Sequence, residues 1–193
     1  WPVAYPAPQQ FATRAIAGMW QQIGGQLTGQ VRDGLVPANL QAVFALESPA
    51  LSEVIRDINK FSNNVMAQQL FLTLSLQARG SGNWDASREA MQTWWRDRIG
   101  GEVPVFDNGS GLSREERVSA LGLARLLQFA WGSPTMSELM SSLPLSGLDG
   151  TLKRSKSQSI AHLKTGSLRD VAGIAGYVDA ANGKRLILVA VLN

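Results

Sequence analysis

The sequence predicts an α+β fold in which an antiparallel sheet packs against a helical cluster. Apolar side chains recur at helical spacing through the first three quarters of the chain, as in Leu51, Val54, Ile55 and Ile58. From Ser157 the pattern changes to strands, over 157–168, 171–178 and 184–192. Between the last two, Asn182-Gly183 is the signal of a tight hairpin. Helices in the middle and an antiparallel strand meander at the end argue for a sheet packed against a helical cluster. With 193 residues and 45% hydrophobic content, the chain reads as one domain over 1–193 with enough apolar material for a core.

Taken in order, residues 1–8 are proline-rich and irregular. Gln9 to Ile23 reads as a helix carrying Phe11, Ile16, Met19 and Trp20, with Gly24-Gly25 as its stop. Residues 26–37 alternate loosely around Gly29 and Asp33-Gly34, predicting a short strand with turns; 40–46 predicts a strand. Ser48-Pro49 marks a helix start, with serine as N-cap and proline in the first turn. Ser62-Asn63-Asn64 then interrupts the apolar stripe. Such residues compete with the backbone for hydrogen bonds, so three in a row predict a break. Read by itself, the break is an ordinary helix-to-helix turn capped by Ser62 or Asn64, or else it sets polar tips at the mouth of a cleft. Val65 to Leu76 resumes as an apolar, buried helix.

After the turn at 80–83, Asp85 is expected to cap a helix running to about Ile99, with Met91, Trp94 and Trp95 inward. Phe106 to Leu112 is a glycine-rich loop that lacks the Gly-Lys-Ser/Thr of a phosphate-binding loop. Ser113-Arg114-Glu115-Glu116 reads as a capping box leading into a helix to Trp131, and Pro134 to Leu143 as a further short helix. Gly173, Ala175 and Gly176 are small enough for a neighbouring backbone to lie close.

Charge and composition exclude several function classes. The net charge is +3, with no block of like charges, so no nucleic-acid-binding tail is present and no nucleic-acid partner is expected. No cysteine is available for disulfides or thiolate metal sites. The longest apolar run, Leu186 to Leu192, is far too short to span a bilayer. No signal peptide begins the chain, and a fragment cut downstream of one would read the same.

The chemistry concentrates in Lys164-Thr165-Gly166-Ser167. On a pleated strand Lys164 and Gly166 share one side, Thr165 and Ser167 the other. Glycine in a strand often marks the close approach of a ligand or another backbone. A cation, hydroxyls and a bare backbone edge together suit a substrate ending in a carboxylate. By itself the stretch reads first as a strand end with a solvated lysine, since a lone Lys-Thr-Gly is a weak signal. Its partner is Ser62-Asn63-Asn64, roughly a hundred residues upstream.

Ser-x-Asn followed by Lys-Thr-Gly, with Asn108-Gly109-Ser110-Gly111-Leu112-Ser113 between them, resembles the D-alanyl-D-alanine carboxypeptidase/endopeptidase family, the class C low-molecular-mass penicillin-binding proteins. The resemblance runs from about Gln10 to the end. It implies a penicillin-binding/β-lactamase-like transpeptidase fold without cofactor or metal. It also implies a periplasmic serine peptidase acting through an acyl-enzyme on peptidoglycan stem peptides that end in D-Ala-D-Ala, with β-lactams as inhibitors. By the resemblance, Ser62 relays a proton toward the departing amine and Asn64 holds the substrate's amide. Lys164 lends positive potential and orients the Ser62 hydroxyl. Thr165, Gly166 and Ser167 form the substrate-binding strand: both hydroxyls meet the terminal carboxylate, and the Ser167 N–H is an oxyanion donor.

The family's Ser-x-x-Lys is absent. Three positions before Lys60, Lys153, Lys156, Lys164 and Lys184 stand Asp57, Gly150, Lys153, Ala161 and Ala181. The chain is therefore expected to be the second part of a transpeptidase-like domain, without its first strands, nucleophile or closing helix, and to be inactive alone. Two other readings stay open. One is a Ser-His-Asp hydrolase using His162, the sole histidine, although no Gly-x-Ser-x-Gly elbow accompanies it. The other is a non-catalytic envelope module that binds a peptide or partner protein without cleaving.

Overall fold

The computed structural model describes residues 7–42, 45, 47–157 and 160–193. Backbone contacts divide the chain into two units, 1–47 and 48–193. In the first, a 3-10 turn (Pro8–Gln10) leads into helix α1 (Phe11–Gln22), none of whose residues is buried. The Trp20 indole N–H donates to the Gln26 carbonyl at 3.1 Å, folding the following chain back on the helix. The strand expected within 26–37 does not form: Gly29, Gly34 and Pro37 interrupt the run, and Leu35 and Val36 are exposed. Part of the strand expected over 40–46, and residues 1–6 of the proline-rich lead-in, lie outside the described residues; 40–42 and 45 take no strand.

The second unit holds α2 (Leu51–Phe61), α3 (Asn64–Arg79), α4 (Trp84–Arg98), α5 (Ala120–Trp131) and α6 (Met136–Ser142), then β1 (Ala161–Leu168), β2 (Val171–Asp179) and β3 (Arg185–Leu192). The strands form an antiparallel sheet in the order β1-β2-β3, with Lys164 opposite Ala175 and Ala175 opposite Val189. The last hairpin closes over 181–183: Gly183 N–H donates to the Ala180 carbonyl (2.9 Å) and Ala180 N–H to that of Lys184 (2.8 Å). Leu127, Leu143 and Tyr177 make a buried cluster, joined by Met140, Ala175 and Val189, which seats α5 and α6 on the sheet. The Tyr177 hydroxyl donates to the Leu127 carbonyl at 2.7 Å, tying β2 to α5.

Several helix boundaries differ from expectation. Helix α2 begins at Leu51 with Ala50 as N-cap and no side-chain cap, so Ser48 stands two residues too early. Asn83 caps α4 through its side chain, and Asp85 sits in the first turn. The expected capping box at 113–116 starts no helix. Ser113 Oγ accepts from Glu115 N–H in a local turn, and Arg117 exchanges both backbone hydrogen bonds with Val105. A helix through 117 would need those groups, so α5 waits until Ala120, with the Ser119 hydroxyl as cap. Helix α3 is less buried than its sequence reads: Phe71 and Ser75 are buried, whereas Val65 and Leu76 are exposed.

Candidate active site

The break at Ser62-Asn63-Asn64 is a C-cap followed at once by an N-cap. Ser62 ends α2 in the left-handed conformation (φ 53°, ψ 48°), with its N–H bonded to the Ile58 carbonyl. Asn63 then caps α3, its side-chain oxygen accepting from Met66 N–H at 3.1 Å. Asn64 opens α3 and donates from Nδ2 to the Ser110 carbonyl at 2.6 Å. Ser110 is held in turn by Asn108, whose Oδ1 accepts from its backbone N–H (2.9 Å) and its hydroxyl (2.6 Å). Gly109 has φ +69° and lies so near α3 that an added Cβ would stand 2.4 Å from the Phe71 Cβ. Only glycine brings the loop this close to the helix.

Strand β1 supplies the opposite wall. Lys164 Nζ donates to Ser62 Oγ at 3.0 Å and to the Thr165 carbonyl at 2.8 Å. The two motifs, 102 residues apart, therefore meet through a lysine–serine hydrogen bond. Partial burial lowers the Lys164 pKa below its ordinary value of 10.5, bringing the neutral amine nearer to use as a proton carrier. With the lysine donating to Ser62 Oγ, the serine's own proton is left to point elsewhere.

The direction of the strand edge follows from its hydrogen bonds. Leu163 N–H donates to the Pro144 carbonyl and Ser146 N–H to the Ala161 carbonyl, each at 2.9 Å. Residues 161 and 163 thus turn their backbone groups away from β2, and by alternation so do Thr165 and Ser167. The covering segment stops short of them. A cleft of about 540 Å³ opens there, lined by Ser62, Asn64, Lys164, Thr165, Gly166 and Ser167 together. The side chains expected on opposite faces of the strand reach the same space because the cleft runs along the edge.

All six sequence-predicted residues line this cleft, and Ser110 and Leu112 of the glycine-rich loop join them. Sequence reasoning missed Thr151 and Asn59. Asn59 donates to the Ser142 hydroxyl at 2.8 Å, and Thr151 Oγ1 lies 3.0 Å from Thr165 Oγ1. Only the Asp149-Gly150 turn signal stands near Thr151, and nothing in it points to a cleft. His162 is elsewhere: its Nδ1 bonds the Met140 carbonyl at 3.1 Å and it does not line the cleft. This arrangement speaks against a triad built on His162. Among the described residues no helix is long and apolar enough to cross a membrane.

Residues 2–193 match the D-Ala-D-Ala carboxypeptidase 3 (S13) family. A D-alanyl-D-alanine carboxypeptidase of Actinomadura sp. is 32% identical over 177 residues, which cover 83% of this chain and 32% of that protein. Penicillin binding protein 4 of Haemophilus influenzae, crystallised with a β-lactam, superposes with a TM-score of 0.81 at 24% identity, over 99% of this chain and 46% of that one. A predatory endopeptidase of Bdellovibrio bacteriovorus, acylated by penicillin G and bound to an immunity protein, superposes at 0.63 with 17% identity, over 98% and 52%. The expected α+β fold is thus shared with penicillin-binding structures. The chain spans about a third of the length of the Actinomadura relative. With a match running through nearly all of its residues, and with Ser-x-Asn and Lys-Thr-Gly meeting at one cleft, the chain belongs to the D-Ala-D-Ala carboxypeptidase 3 (S13) family.

Proposed function

We propose that the cleft is the substrate-gripping side of a serine D-Ala-D-Ala carboxypeptidase/endopeptidase site, serving peptidoglycan stem peptides in the periplasm and open to β-lactams. The observation that carries this reading is the 3.0 Å bond from Lys164 Nζ to Ser62 Oγ beside the open edge of β1. A peptide laid along that edge meets the backbone of Thr165 and Ser167, and its terminal carboxylate meets their hydroxyls and the positive potential of Lys164. The Ser167 N–H is the oxyanion donor, a role worth roughly 2.7–4 kcal/mol in acyl-transfer sites. Asn64, steered by Ser110, binds the substrate's amide. Lys164 and Ser62 relay a proton to the departing amine.

No lysine in the chain has a serine three residues before it, so no attacking serine is assigned among these residues. An unassisted serine hydroxyl is a weak nucleophile, and the chain alone binds without acylating. The same absence favours a second reading, a peptide-binding envelope module without catalysis; acylation of the full-length polypeptide by penicillin separates the two. For the chain itself, titration with an acetylated peptide ending in D-Ala-D-Ala should shift NMR signals of 62–67, 108–112 and 164–167. Lys164→Ala should weaken that binding about tenfold or more while leaving the fold intact. The intact mass should stay unchanged in excess penicillin. Unaltered peptide binding by Lys164→Ala would refute the grip, and a covalent adduct on any serine would refute the missing nucleophile.

A further inference from the structure

We infer that Thr151, which belongs to neither motif, is a positioning residue that aims the Thr165 hydroxyl at the substrate's terminal carboxylate. The inference rests on the proposed carboxylate grip. The hydroxyls of Thr151 and Thr165 lie 3.0 Å apart, and either could donate. Both residues line the cleft. A carboxylate only accepts, and a threonine hydroxyl has one proton. When Thr165 gives that proton to the ligand, it can meet Thr151 only as an acceptor, so Thr151 is the donor. Two hydroxyls polarised in one direction strengthen the outer bond. Thr165 is then held at its carbonyl by Lys164 (2.8 Å) and at its hydroxyl by Thr151.

Thr151 is set firmly enough for this role. It sits in a 3-10 turn (Gly150–Leu152) pressed on the end of α2. Gly150 has φ +54°, and an added Cβ there would stand 2.6 Å from the Lys60 carbonyl. One residue earlier, Asp149 accepts from Leu145 N–H at 2.7 Å and from Lys60 Nζ at 2.6 Å. Lys60 also donates to the Leu143 carbonyl at 2.7 Å. Lys60 stands two residues before Ser62, so the clamp that fixes the end of α2 also places Thr151.

The test compares two acetylated peptides, one ending in D-Ala-D-Ala carboxylate and the other in its carboxamide, by calorimetry on the 193-residue chain. The parent chain should prefer the carboxylate. Thr151→Val should weaken the carboxylate peptide about three- to tenfold, the range of one neutral hydrogen bond, and leave the carboxamide within about twofold. Thr151→Ser should restore the preference. Thr151→Ala, with its smaller side chain, serves as a second hydroxyl-free variant and should match Thr151→Val. Equal weakening of both peptides would reduce Thr151 to a structural part, and undiminished preference in either hydroxyl-free variant would overturn the inference. If the parent chain binds neither peptide, the proposed function fails, and this inference with it.

Discussion

Ser62 holds a backbone conformation that side chains other than glycine adopt at a cost of roughly 1–2 kcal/mol. Its φ of 53° ends α2 and brings its hydroxyl to Lys164. Ser62→Gly and Ser62→Ala both remove the hydroxyl, but only glycine relieves the backbone. Urea melts should find the glycine variant more stable than the alanine variant by about 1 kcal/mol, and equal stability would show that no strain is stored there. Lys164 gives a pH signature. Burial lowers its pKa in the folded state below 10.5, so the unfolded chain binds more protons in the interval between the lowered value and 10.5. Stability from this group is therefore least below the lowered pKa and recovers as pH rises toward 10.5. The stability of the parent relative to Lys164→Met should improve as pH rises through the lowered value toward 10.5; a constant difference would contradict it. The six motif residues were legible because their types are tied to a chemistry. Thr151 was not, since its meaning comes from a contact with a strand that no local pattern announces.

At the scale of elements, the 3-10 turn and the ends of α2 and α6 are pinned by Lys60 and Asp149. Burial pushes the Asp149 carboxyl up, but the Leu145 N–H and Lys60 outweigh it and leave the pKa below 3.8. The stabilisation is thus present above about pH 3.8 and is lost as pH falls through the lowered value. Asp149→Asn should cost about 1–2 kcal/mol at neutral pH, because it strips the counter-charge from a Lys60 side chain only 13% exposed while Asp149 itself is 41% exposed. A urea melt matching the parent's would refute this. The elements themselves were largely readable: five helices of this unit, three strands and the Asn182-Gly183 hairpin follow from periodicity and turn chemistry. Their starts were less so. Ser113-Arg114-Glu115-Glu116 has the composition of a helix start, yet the Val105–Arg117 pairing claims the backbone, and only the fold reveals that competitor.

At the scale of the second unit, the sheet has two unlike edges. Along β1, the segment 144–146 covers Ala161 to Leu163, and the cleft takes the stretch from Lys164 to Ser167. Along β3, beyond which no further strand pairs among the described residues, Leu186, Ile187, Leu188, Val191 and Leu192 stand exposed. These apolar residues fall on both faces, the composition of a strand from the middle of a sheet. Such an edge is a template for another strand. Counted as a bonding valence, the sheet has one full-length free edge, at β3, besides the short open stretch of β1 along the cleft. A strand added at β3 satisfies it, and two copies meeting β3 to β3 satisfy each other. A filament needs a long open edge at both ends of every subunit's sheet, and at β1 the segment 144–146 leaves open only the short stretch along the cleft.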